Sequence, residues 1–186
     1  MTMNGLLSKL RAALLAPEFW PGVTVPVVLT GLFAVWSLLG LRINASPSLP
    51  VGLYMTTTDS QADLVEFCPV EPFASLSIAR GYRESGVCRD GSAPLLKPVV
   101  ASAGDTVELS ARGISVNGVL LPNTAPLSKD TKGRPLQPWP FGRYLVADGM
   151  FWVISSYHPR SFDSRYFGPV PLDWVRNYVR PWITLP

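Results

Sequence analysis

The sequence predicts a mainly β domain, a compact and partly open barrel, behind one N-terminal transmembrane helix. Three observations carry this expectation. Residues 19–41 form one uncharged apolar run. After it come short apolar and β-branched stretches, each closed by Gly, Pro, Asn or Asp. And 19 prolines and 15 glycines in 186 residues break the chain too often for long helices beyond that run. No βαβ pattern and no internal repeat is visible, and the short turn-separated strands describe a compact β-fold or partly open barrel.

Composition narrows the function classes. The length suits one domain of ordinary size plus a small appendage. The net charge of +3 is mild, and Lys and Arg are scattered. No basic stripe points to nucleic acid. One His and two Cys exclude a His-rich or Cys-rich metal site, and no cofactor is expected.

Taken in order, residues 1–18 are expected to be a short cytoplasmic segment. Residues 6–15 suit a small amphipathic helix on the membrane surface, or a simple continuation toward the span. The 23 uncharged residues 19–41 are long enough, at ~1.5 Å per residue, to cross a hydrocarbon core of ~30 Å. A cleaved signal peptide is the competing explanation, but its apolar core would be unusually long. Lys9 and Arg11 precede the run and favour a cytoplasmic N-terminus. Residues 43–186 then form the outward domain.

Next comes 44–54, Asn-Ala-Ser-Pro-Ser-Leu-Pro-Val-Gly-Leu-Tyr. Pro fixes φ and Gly admits unusual φ, so Ser46 and Ser48 sit on a backbone held in one shape. The stretch is either a linker or the nucleophile loop of a hydrolase at the membrane surface. A turn at 56–60, a strand at 64–68 and one helix at 73–81 follow. Cys68 and Cys88 enclose 19 residues. They are read as a disulfide, which persists in an oxidising compartment, or as two buried thiols.

Residues 95–101 form an apolar strand with Lys97 in its middle. Strands follow at 106–109 and 114–116. Asn117-Gly118 is a two-residue hairpin signal into 119–121. Residues 122–143 form a loop. Strands at 143–146, 150–154 and 174–181 complete the chain.

Lys97 is flanked by Leu95, Leu96, Val99 and Val100. Burial would disfavour its ammonium and leave a neutral amine that can take a serine proton. A lysine that snorkels to water is the plainer alternative. Residues 161–168, Ser-Phe-Asp-Ser-Arg-Tyr-Phe-Gly, gather hydroxyls, a carboxylate and a guanidinium. In isolation they fit a turn with an Asp163–Arg165 pair. Ser48, His158 and Asp163 could also be written as a conventional triad.

Together these stretches resemble the type I signal peptidase superfamily. Its pattern is a membrane anchor, a Ser-x-x-Pro-like box, a strand Lys followed by Gly-Asp-x-Val, and a Ser-x-Asp-Ser-Arg-aromatic-aromatic-Gly box. Here these read Ser48-Leu49-Pro50, Lys97 with Gly104-Asp105-Thr106-Val107, and Ser161 to Gly168. Asn-x-x-x-Ser-x-Pro-x-Gly-x-Tyr, the paired cysteines, Val116-Asn117-Gly118 and Val179-Arg180-Pro181 are similar to the TraF branch, the peptidases of conjugative transfer systems.

The resemblance implies Ser48 as nucleophile and Lys97 as general base. It implies Ser46, with the Ser48 N–H, as oxyanion donor, and Ser161 as the hydroxyl that orients the lysine. Asp163 would have a role in activity, with Arg165 its pairing partner. A pilin precursor is the implied substrate, processed on the periplasmic face of the bacterial inner membrane. The product is cyclic if the substrate's own N-terminus resolves the acyl-enzyme, and other conjugation proteins are expected partners. Two departures weigh against a housekeeping role: the shorter Ser48-Leu49-Pro50, and Ser155-Ser156-Tyr157-His158 where leader peptidases carry Gly-Asp-Asn-Arg. A general signal peptidase and a catalytically idle assembly factor are the alternative functions.

Overall fold

The computed structural model describes residues 20–69 and 71–185. The expected cytoplasmic segment 1–18, its amphipathic stretch 6–15 and the first residue of the apolar run lie outside the described residues. The chain divides into two units that meet between Leu41 and Arg42.

In the first unit the run forms one helix, Trp20–Leu38, 19 residues without a charge. Val25, Val27, Val28, Leu29, Leu32 and Val35 are all exposed on it. Pro26 lies inside the helix. Among the described residues no helix is long and apolar enough to cross a membrane.

The second unit is mainly β, with two open sheets rather than the expected partly open barrel. Its strands, in chain order, are β1 Leu41–Asn44, β2 Gly52–Thr57, β3 Leu64–Phe67, β4 Leu95–Ala101, β5 Thr106–Ser110 and β6 Gly113–Val116. They continue with β7 Val119–Leu120, β8 Gly142–Leu145, β9 Met150–Val153, β10 Val170–Pro171 and β11 Val175–Thr184. One seven-stranded sheet has the order β1-β2-β11-β3-β4-β9-β10, and a four-stranded sheet the order β7-β6-β5-β8. The pairings of β11 with β2 and β3, and of β4 with β3 and β9, are antiparallel, as are those within the small sheet. The sheets separate because the chain turns at Gly104 between β4 and β5, and β5 pairs with β6 and β8 instead of returning to β4. That choice is a contest between distant edges, which local pattern does not encode.

Local chemistry explains most boundaries. At the Asn117-Gly118 turn both residues have positive φ, 49° and 84°, as the tight hairpin between β6 and β7 requires. The helix at 73–81 is shorter than expected, Phe73–Ala79, and Gly81 follows it with φ 66°. The last strand begins one residue late, after a single 3-10 turn Leu172–Trp174, and runs on to Thr184 past Pro181. It can do so because the register shifts between Pro181 and Ile183, where the missing proline N–H interrupts the ladder.

Three apolar clusters hold the domain. Val107, Leu109, Ile114, Val146, Trp152 and Ile154 join the small sheet to β9. Val65, Phe67, Phe151, Val153, Phe167 and Val170 fill the centre of the large sheet. Leu49, Tyr54, Leu64 and Val179 form the third, and this one anchors the loop between β1 and β2. Full burial of a Leu or Phe stabilises by ~1.5–3 kcal/mol, so these clusters are the main favourable term.

Cys68 and Cys88 form a disulfide, with Cα atoms 5.8 Å apart. It closes the segment that carries the Phe73–Ala79 helix onto the end of β3. Replacing both cysteines by alanine should lower stability by about 3 kcal/mol in the loop-entropy account. Urea unfolding of the double variant against the oxidised wild type measures this.

Candidate active site

The loop between β1 and β2 is shaped by Asn44. Its Nδ2 donates to the carbonyls of Ser46, Leu49 and Pro50 at 3.0, 3.2 and 3.1 Å, and its Oδ1 accepts from Ser46 N–H at 3.1 Å. Tyr54 adds an O–H bond to Pro50 O at 2.6 Å. Leu49 is buried in the third cluster. The linker alternative fails here: this loop is tied down on both its polar and its apolar side.

Ser46 and Ser48 face each other. Their Oγ atoms are 2.9 Å apart, and Ser48 N–H donates to Ser46 Oγ at 3.3 Å. The two donors expected to hold an oxyanion therefore converge, and in this state Ser48 N–H is spent on Ser46 Oγ. Ser48 is only 6% exposed.

Lys97 occupies the centre of β4, opposite Val65 of β3. It is 5% exposed, so it does not snorkel to water. Its Nζ donates to Ser161 Oγ at 3.0 Å. Burial pulls Lys97 down from 10.5 to about 8; the Asp163 carboxylate works against this and the Arg165 guanidinium with it. No hydrogen bond joins Lys97 to Ser48 among the described residues. Both line one groove of about 740 Å³, together with Ser46 and Ser161. Hydrogen bonds between catalytic groups are often loose before substrate binds.

The stretch 161–168 folds into a one-turn helix, Ser164–Phe167, with Asp163 as its N-cap. Gly168 ends it at φ 73°, and a Cβ there would meet the Trp139 ring at 2.6 Å. Asp163 and Arg165 are both fully buried. Arg165 Nε and Nη2 donate to the two Asp163 oxygens at 2.8 and 2.9 Å. Arg165 also donates to Asn123 O, Pro159 O and Ser161 O, at 3.2, 3.0 and 3.0 Å. All five guanidinium N–H groups are used. Asp163 Oδ2 accepts from Ser155 N–H at 3.1 Å, and Ser155 O–H donates to Ser48 O.

His158 lines the groove but assembles no triad. Its Nδ1 accepts from Arg160 N–H at 3.2 Å, and both Asp163 oxygens are engaged by Arg165 and Ser155.

Ser46, Ser48, Lys97 and Ser161 are thus brought to one groove, with Asp163 and Arg165 beneath it. Two residues escaped the sequence reading. Asn44 was visible as the opening residue of the serine stretch, but its loop-folding role was not. Ser155 was visible only as a departure from the leader peptidase pattern.

A family model described as signal peptidase, peptidase S26, matches residues 19–183. The chain belongs to the signal peptidase family. Membership makes it a serine peptidase of that kind. It is 32% identical over 185 residues to a plasmid transfer protein TraF of Escherichia coli, covering 98% of this chain and 99% of that one. It is 34% identical to a conjugal transfer protein TraF of Agrobacterium fabrum, over 85% of this chain and 90% of that one. A solved signal peptidase I from Enterococcus faecalis matches 66% of this chain and 97% of that one at 21% identity, with a TM-score of 0.35, a likeness too distant to bear on the fold.

Breaking the buried pair should be costly on either side. Asp163→Asn or Arg165→Met leaves a buried group without its counter-charge, with an expected loss of about 3–5 kcal/mol. Thermal unfolding at neutral pH reads it out.

Proposed function

We propose that this signal peptidase family member is a membrane-anchored Ser-Lys endopeptidase that processes a pilin precursor for a conjugative transfer system. The observation that carries the catalytic part is Lys97: buried, lowered to about 8, bonded to Ser161 and sharing a groove with Ser48. A surface lysine near 10.4 would be almost wholly protonated at neutral pH and useless as a base.

In the proposed reaction neutral Lys97 takes the Ser48 Oγ proton, and Oγ attacks a peptide carbonyl. The carbonyl oxygen enters between Ser48 N–H and Ser46 O–H and replaces the bond they make with each other. Loss of one such donor typically costs ~3 kcal/mol in the transition state. The Lys97 ammonium returns its proton to the departing amine. An ester on Ser48 remains. Water, or a substrate amine, then attacks the ester; Lys97 takes the proton of the attacking group and gives it to Ser48 Oγ. Ser161 holds Lys97 toward the groove. Asp163 acts through Arg165 and Ser155, and its negative charge steadies the transient ammonium.

Similarity to proteins named plasmid transfer and conjugal transfer protein TraF supports the transfer setting, and the pilin substrate is what the resemblance to the TraF branch implies. The uncharged run 19–41 and the exposed apolar side chains of its helix support an anchor in the inner membrane. The disulfide suits a domain in the oxidising periplasm.

A serine-reactive acylating probe should label the wild type and leave Ser48→Ala unlabelled. Lys97→Ala should abolish turnover of the pilin precursor, whereas His158→Ala should keep it; the opposite pair of results overturns the assignment. A generic preprotein is the control that separates a dedicated from a general peptidase. A product lighter than the hydrolysed one by one water marks resolution by the substrate's own amine.

The pH dependence has a fixed sign. Only the neutral amine accepts a proton, so the rate should rise with pH and reach half its plateau near 8. A plateau already complete at pH 6 would contradict Lys97 as the base.

A further inference from the structure

Ser155 stands two residues past β9, 107 residues from Ser48 in the chain, and is fully buried. Its hydroxyl has one proton and uses it on the backbone carbonyl of Ser48. Its oxygen accepts the His158 N–H at 3.4 Å, which leaves the proton free to point that way. Its own N–H donates to Asp163 Oδ2. Among the described residues no hydrogen bond joins Ser155 to Lys97 or Ser46.

We infer that Ser155 is a positioning residue: its hydroxyl fixes the peptide plane of Ser48, so the buried Asp163–Arg165 pair sets the nucleophile against the base. The inference deepens the Ser48–Lys97 reading above and rests on it. Two routes leave the pair. One runs from Arg165 Nη2 to Ser161 O, and from Ser161 Oγ to Lys97 Nζ. The other runs from Asp163 through Ser155 to Ser48. The routes carry the base and the nucleophile respectively, and Ser155 is the only hydroxyl in the second.

The direction of the bond matters. Asn44 and Tyr54 shape the loop from the carbonyls of Ser46, Leu49 and Pro50 and leave that of Ser48 aside. Ser155 takes the Ser48 carbonyl. Without it, the Ser48 backbone is free to turn about its φ and ψ, and Ser48 Cβ and Oγ can shift relative to Lys97 while the carbonyls held by Asn44 and Tyr54 stay in place. A displacement of about 1 Å of a reacting atom costs on the order of 100-fold in rate.

The test compares Ser155→Ala and Ser155→Gly with wild type. Active sites are counted with the acylating probe, and turnover of the pilin precursor is measured across pH. Positioning predicts that kcat per labelled site falls by on the order of 10- to 100-fold in both variants, with KM within about twofold. It also predicts that the half-maximal pH stays near 8, because the surroundings of Lys97 are untouched. A purely structural role predicts fewer labelled sites and a lower Tm at unchanged kcat per site, and that result overturns the inference. So does a rise in KM with kcat kept. If the probe does not label wild-type Ser48 at all, the peptidase reading itself fails, a different outcome from either of these.

Discussion

Everything at the site hangs on the ion pair between Asp163 and Arg165. Two opposite charges buried at full depth are stable only when every remaining polar atom is satisfied. Here the guanidinium spends its five donors on two carboxylate oxygens and three backbone carbonyls. Asn123 lies 42 residues from Arg165 in the chain, whereas Pro159 and Ser161 belong to the stretch just before it. The pair therefore pins the loop before β8 and the stretch after β9 around one point. Its local geometry is fixed too, because Asp163 caps the very turn that carries Arg165. Replacing such a pair with apolar groups often costs little stability. Its value in this fold is the register it imposes on two polar routes toward the groove.

Lys97 shows how the fold sets chemistry. The residue is buried because β4 lies inside the large sheet, between β3 and β9. Desolvation alone would make the amine a weak base held neutral. The Asp163 charge opposes that, and Arg165 partly cancels Asp163. The balance leaves the group near 8, within the range the proposed role as a base needs. The same pair that positions Ser161 thus tunes the amine that Ser161 holds.

The wall of the groove is built separately. Tyr82 follows the disulfide-bound helix and donates to Asp130 Oδ2 at 2.7 Å, while Arg134 donates to the same carboxylate. The Tyr82 ring also packs on Phe162, 5.1 Å between centroids, beside Ser161. Two long segments, one closed by a disulfide and the two joined by this polar cluster, thereby wall one side of the groove. Their lack of regular structure is consistent with their composition, rich in Pro, Gly and charge.

By itself the sequence determined the local elements. The lysine-bearing strand 95–101, the Asn117-Gly118 hairpin and the apolar helix were all legible, because periodicity, turn chemistry and an unbroken uncharged run are short-range properties. The chemical types at the site were legible as well: two serines on a stiff loop, one lysine among apolar neighbours, one dense polar box. Tertiary structure decided what they do. That Lys97 is buried depends on β3 and β9 as its neighbours. That His158 assembles no triad depends on Asp163 being claimed by Arg165 and Ser155. That the strands split into two open sheets depends on which distant edges pair. Ser155 and Asn44 look like ordinary polar residues in the chain, and only folding gives each a carbonyl to hold. Each of these turns on contacts across tens of residues, and such contacts leave no periodic trace in the sequence.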